Sequence, residues 1–123
     1  MTTIMVVDDE FLITDILGLA LEDVGYRVLK ASNGKKAIEL FTREIPTLVI
    51  TDFMMPSMTG LELAQAIKLR DDTAHIPIIL MTGAQAHVAQ QNNYLFAQIL
   101  GKPFDMDTLL DAIRKLIGTP EDQ

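Results

Sequence analysis

Three short stretches are apolar almost without interruption: Ile4-Met5-Val6-Val7, Leu48-Val49-Ile50, and Ile76 to Met81, broken only by Pro77. A strand with one wet face alternates apolar and polar residues. An unalternating run suits a strand covered on both faces, as in parallel sheets whose crossover helices pack above and below. Each run also stops on chemistry: Asp8-Asp9 after the first, Asp52 after the second, Thr82-Gly83 after the third.

Between these runs the pattern turns helical. Glu10 to Val24 is expected to be a helix with Leu12, Ile16, Leu19 and Ala20 facing inward, closed by Gly25. Tyr26 to Ala31 reads as a second strand. Ser32-Asn33-Gly34 supplies turn and cap for a helix over Lys35 to Glu44, with Ala37, Ile38 and Phe41 on its stripe and Pro46 as breaker. Thr59 stands three residues before Glu62, the capping-box spacing, so a third helix starts near Gly60 and buries Leu61, Leu63, Ala64 and Ile67. Ala84 to Phe96 is expected to form a short, poorly anchored helix, because Gln90, Gln91, Asn92 and Asn93 are weak formers. Ala97 to Leu100 makes a fifth strand, and Asp105 caps a last helix carrying Leu109, Leu110, Ile113, Leu116 and Ile117 up to Gly118. Strands alternating with helices predict an α/β fold, a doubly wound five-stranded parallel sheet with helices on both faces. One domain is expected over residues 1–118, with a short polar tail at 119–123.

Composition excludes several roles. The 123 residues, 49% hydrophobic, suffice for a real core, and the absence of cysteine removes disulfides and thiolate metal sites. No apolar stretch reaches eighteen residues and no Arg-rich leader is present, which points to a cytoplasmic protein without membrane contact. A net charge of -7 disfavours direct binding to nucleic acid.

In an open parallel sheet the carboxyl ends of the strands share one rim, where ligands bind. Asp8, Asp9, Asp52, Thr82 and Lys102 would therefore converge. Two carboxylates about 5 Å apart repel by about 3 kcal/mol at an effective dielectric near 20, so three together demand a cation or a proton. Oxygen ligands without Cys or nearby His favour Mg²⁺, held by Asp9, Asp52 and a backbone carbonyl just after Asp52. Thr82 can donate a hydroxyl hydrogen bond to a phosphoryl oxygen, Lys102 can neutralise another, and Asp52 is the available carboxylate nucleophile. Singly these residues have ordinary readings: acids at a helix start for Asp8-Asp9-Glu10, a turn for Thr82-Gly83, a solvated loop for Lys102-Pro103, packing for Met54, Met55 and Met58. His75 and His87 have no partner at ligand spacing. The order and placement of the set at successive strand ends is what those readings do not require.

With Asp8-Asp9, Asp52 followed by "MMPSMTGLEL", Thr82-Gly83 and Lys102-Pro103-Phe104 in hand, the chain resembles the receiver domain of two-component response regulators, from Met5 to about Leu116. The resemblance implies a flavodoxin-like sheet of strand order 2-1-3-4-5, the order of the family's chemotaxis member. It implies Asp52 as phosphoacceptor, Mg²⁺ held by Asp8, Asp9, Asp52 and the Met54 backbone carbonyl, and a phosphoryl group read by Thr82, Gly83 and Lys102. The phosphoryl donor would be a phosphohistidine of a sensor histidine kinase or histidine phosphotransfer protein. The chain would be a switch rather than a turnover enzyme, presenting a face of helix four, strand five and helix five to a downstream protein target. One departure stands out: Ile99 occupies the place where receivers commonly carry Tyr or Phe as a rotating switch, with Tyr94 or Phe96 as substitutes.

A stand-alone receiver is thus expected. The alternatives are a Mg²⁺-dependent phosphatase-like doubly wound enzyme, a receiver fragment of a longer DNA-binding regulator, and a phosphorylation-independent docking module. Phe11, Leu12, Thr14 and Asp15, with Pro103-Phe104 opposite, are expected to meet the donor protein. Met54 and Ala84, which offer no side-chain hydrogen bond to a hydrolytic water, predict slow loss of the phosphoryl group.

Overall fold

The computed structural model describes residues 2–83 and 86–120. Five strands, β1 (Thr3–Val7), β2 (Arg27–Ala31), β3 (Leu48–Asp52), β4 (Ile78–Thr82) and β5 (Gln98–Gly101), alternate with five helices, α1 (Phe11–Val24), α2 (Gly34–Leu40), α3 (Gly60–Leu69), α4 (Ala86–Gln91) and α5 (Met106–Ile117). A 3-10 turn over Asn93–Leu95 follows α4. The sheet is wholly parallel, in the order β2-β1-β3-β4-β5.

Because successive side chains in a strand point to opposite faces, each apolar run feeds two cores. Met5, Val7, Val49, Ile78 and Leu80 join Ala37, Phe41, Leu63, Ala64 and Ile67 on the α2 and α3 face. Ile4, Val6, Leu48, Ile50, Ile79 and Met81 join Leu17, Leu21, Leu109, Ala112 and Ile113 on the α1 and α5 face. Every residue of β1, β3 and β4 is buried. That is the burial an unalternating run calls for.

Caps follow the expected chemistry. The Thr59 hydroxyl accepts from the Glu62 amide while the Glu62 carboxylate accepts from the Thr59 amide, closing both halves of the capping box. Asn33 and Asp105 accept from Lys36 and Thr108 amides, and Gly25 ends α1 at φ 115°.

Some boundaries move. Helix α2 stops at Leu40, with Thr42 and Arg43 in a turn rather than a helix reaching Glu44. Strand β4 begins after Pro77, whose carbonyl accepts from Val49 in place of a ladder the ring cannot join as donor. The expected helix over Ala84 to Phe96 is shorter and breaks into α4 and the 3-10 turn; Ala84 lies outside the described residues.

The larger correction concerns α1. Leu12, Ile16 and Leu19, expected inside, are 69%, 49% and 68% exposed. The buried face carries Thr14, Leu17, Gly18 and Leu21. Here small residues mark the packed side: a Cβ on Gly18 would meet the Lys30 side chain and approach Val28, and the Thr14 hydroxyl is satisfied by the Phe11 carbonyl at 2.9 Å. Close approach to β2 outweighs the larger side chains, which are left facing outward.

Candidate functional site

The rim is built by extending the ladder past the strand ends. Asp8 follows β1, and its amide donates to the Ala31 carbonyl at 3.1 Å. Asp52 is the last residue of β3, paired with Met81, and the next amide, Phe53, donates to the Met81 carbonyl at 2.9 Å. The Lys102 amide donates to the Thr82 carbonyl at 2.7 Å, fixing the β5 extension beside β4. Backbone hydrogen bonds thus place each functional residue before any side chain acts.

Oxygen atoms of Asp8, Asp9 and Asp52 lie within 4.8 Å of one another. Asp8 and Asp52 are buried, at 1% and 6% exposure, while Asp9 opens to solvent. Asp8 Oδ1 accepts the Glu10 amide at 2.9 Å, the helix-start role open to this acid. Asp8 Oδ2 is buried with no hydrogen-bond partner among the described residues. Burial pushes the Asp8 carboxyl up to about 6; the Glu10 amide opposes this, Asp52 and Asp9 reinforce it, and Lys102 lowers it. An orphaned carboxylate oxygen among two further carboxylates fits a hard divalent cation, since Mg²⁺ takes oxygen ligands and would complete the group that protein hydrogen bonds leave open.

Lys102 Nζ forms an ion pair with Asp52 Oδ1 at 2.8 Å. Burial alone would lower the Lys102 pKa, but the hydrogen bond and charge of Asp52 outweigh it and raise the value, so the ammonium stays charged. Thr82 Oγ1 is fully buried and without a hydrogen-bond partner among the described residues. A Cβ on Gly83 would meet nothing within 4 Å, so the approach over it is open. The arrangement therefore offers a carboxylate beside a fixed cation, an unspent hydroxyl, and an acid cluster suited to a metal.

Gly60, to which sequence reading gave no role beyond a helix start, also belongs to the rim. Its amide donates to the Phe53 carbonyl at 2.8 Å, and an added Cβ would overlap the Asp52 carbonyl oxygen. The only sequence signal was a glycine directly after a capping Thr, a placement that ordinary turns share.

The Met54 side chain, as distinct from the backbone carbonyl expected to serve a metal, is 56% exposed. Thr14 is buried, so it does not present itself to a protein as expected; Phe11 and Leu12, 77% and 69% exposed, do. Asp15 pairs with Lys30 at 3.2 Å. Ile99 is half-buried against the α2 and α3 core, Phe96 is buried there, and Tyr94 is 76% exposed.

The chain is similar to known proteins over most of its length. The profile of the response regulator receiver domain matches residues 4–114. Sporulation initiation phosphotransferase F of Bacillus subtilis is 34% identical over 116 residues, 93% of this chain and 92% of that protein. Phosphate regulon transcriptional regulatory protein PhoB of Pseudomonas aeruginosa is 32% identical over 94% of this chain, which spans 51% of that longer protein. Among solved structures, the response regulator TrrA of Thermotoga maritima in complex with Mg(2+)-BeF superposes with a TM-score of 0.85 at 32% identity, covering 95% of this chain and 100% of that one.

Proposed function

The chain belongs to the response regulator receiver family, and from that premise we propose that Asp52 accepts a phosphoryl group and that the domain works as a phosphorylation switch. Receiver domains are signalling switches rather than classical enzymes. The observation that carries the reading is Asp52 at the end of β3, paired with Lys102 at 2.8 Å and clustered with Asp8 and Asp9.

The proposed donor is a phosphohistidine of a sensor histidine kinase or histidine phosphotransfer protein. A carboxylate oxygen of Asp52 bonds to phosphorus as the donor's nitrogen–phosphorus bond breaks, and the departing imidazole retains the electron pair and takes up a proton. Asp8, Asp9, Asp52 and the Met54 backbone carbonyl would hold Mg²⁺, which when bound neutralises charge on the phosphoryl oxygens. Lys102 is positioned to leave its Asp52 ion pair for a phosphoryl oxygen, and the buried Thr82 hydroxyl gains its missing acceptor in the same event. Gly83 leaves room above. Moving Thr82 and Lys102 pulls on the ends of β4 and β5, so the readout face is α4, β5 and α5. The domain is assigned to residues 1–118.

The test is Mg²⁺-dependent labelling by a small acyl phosphate, followed by intact mass. The parent gains one phosphoryl group that is lost on chelation before labelling, and Asp52→Asn, checked to be folded by circular dichroism, gains none. Equal labelling of the folded variant would overturn the acceptor assignment; sustained turnover of phosphoesters without a retained group would favour a phosphatase.

A further inference from the structure

Adjoining the acidic cluster through Asp8 and Asp9, and lined otherwise by residues of α1, β2, α2 and the turns beside them, lies a cleft of about 640 Å³ whose remaining lining the proposed phosphoryl transfer does not use. Its size falls within the range of small-molecule sites, roughly 300–1,000 Å³. Its lining brings Asp8 and Asp9 together with Ser32, Lys36, Arg43 and Phe11. On a chain of net charge -7 such cations are normally matched by acids. Arg27, Lys30, Arg70, Lys102 and Arg114 are each paired, and Lys68 donates to the Ala74 and Ile76 carbonyls. Lys36 and Arg43 make no side-chain hydrogen bond or ion pair among the described residues, which is equally true of Lys35 and Lys115; what distinguishes the first two is that both line this cleft, as Glu39 also does.

We propose that this cleft binds a small organic phosphate of about mononucleotide size, its phosphate held by Arg43 and Lys36 and its organic part laid against Phe11. Arginine's planar fork matches two phosphate oxygens, lysine supplies a point charge, and the Ser32 hydroxyl can donate to a third oxygen. The 77% exposed phenyl ring of Phe11 offers a stacking surface for a base or an apolar wall for a sugar face. Asp8 and Asp9 repel such a ligand until a divalent cation covers them, so binding strengthens with Mg²⁺. The occupied cleft also covers Phe11, and the ligand would slow docking of a protein donor. This last consequence rests on the phosphorylation switch proposed above; the binding itself does not.

The experiment titrates the full chain with adenosine monophosphate, ribose 5-phosphate and inorganic phosphate, with and without Mg²⁺, following backbone amide shifts and heat. Saturable shifts are expected at Ser32, Lys36 and Arg43 with an organic phosphate, weakened at least tenfold in Lys36→Gln and in Arg43→Gln. Adenosine monophosphate tighter than ribose 5-phosphate identifies a nucleotide; equal affinity identifies phosphorylated metabolites more generally. No saturable shift at millimolar ligand, equal binding by the charge variants, or response to inorganic phosphate alone overturns the proposal. Acyl-phosphate labelling of the same samples separates the readings. A parent that is labelled at Asp52 yet binds no organic phosphate sinks the cleft assignment only.

Discussion

At the scale of single residues, Asp8 sets a pH dependence whose sign depends on the cation. Its folded pKa of about 6 lies above the unfolded value of 3.8. Without metal, the protonated native form is favoured below 3.8, and that stability is lost as pH rises through about 6, amounting to roughly 3 kcal/mol at about 1.4 kcal/mol per pH unit. Glu44, Asp72 and Asp105 have lowered values and act oppositely at lower pH. The expected measurement is therefore a difference: between pH 4 and 7 in chelator, the melting temperature of the parent falls relative to Asp8→Asn. Mg²⁺ competes with the same proton, so its affinity should weaken as pH falls through about 6; a pH-independent affinity would contradict the geometry of the cluster. Gly60 gives a second residue-scale expectation. Gly60→Ala must displace the Asp52 carbonyl, costing about 1–3 kcal/mol and slowing phosphorylation, whereas Gly83→Ala meets open space and should leave denaturant midpoints nearly unchanged.

Among the elements, α1 is the one whose surface does not match its surroundings. Phe11, Leu12, Ile16 and Leu19 stand on its outer side, and an apolar cavity of about 490 Å³ lined by Ile13, Ile16, Leu17, Met81, Pro103 and Phe104 among others adjoins it. Apolar exposure of this extent beside the proposed phosphoacceptor is what a surface for a protein donor calls for. Phe11→Glu and Leu12→Glu are expected to slow phosphoryl transfer from a protein donor at least tenfold while acyl-phosphate labelling stays within a few-fold of the parent. Equal losses with both donors would place these residues in the chemistry instead. Thr14, expected from sequence to serve this surface, is a poor probe: a charge there is buried and would test folding.

For the whole molecule, firmness is uneven. The central strands β1, β3 and β4 are buried throughout, whereas α4 spans only six residues and β5 has one buried position, Leu100. Local opening draws on segments with few buried contacts. Hydrogen exchange should thus be slowest in β1, β3 and β4 and much faster in α4 and the 3-10 turn. Addition of Mg²⁺ with a beryllium fluoride phosphoryl mimic is expected to raise protection most over residues 86–101, because Thr82 and Lys102 bracket that segment. Uniform protection, or none beyond Asp52 and its neighbours, would show that Ile99 in place of an aromatic leaves the site uncoupled from the α4 and β5 face.

Much of this architecture is legible in the chain because it depends on local pattern. Unalternating apolar runs specify strands covered on both sides, a capping box specifies where α3 begins, and acids at the ends of β1 and β3, with Thr82 and Lys102 at those of β4 and β5, specify a shared rim once the sheet is parallel. Those features survive uncertainty of a residue or two at each boundary. Which face of α1 packs was decided by tertiary structure: apolar residues lie on more than one side of it, and the close approach of Gly18 to Lys30 and Val28 of β2 marks the stripe that is buried. The same holds for Gly60 against the Asp52 carbonyl, the orphaned oxygen of Asp8, and the cleft that gathers Lys36 and Arg43 beside Asp8 and Asp9. Each depends on distances between segments far apart in the chain. Periodicity reports how a residue relates to its own element, and carries no measure of how near another element will come.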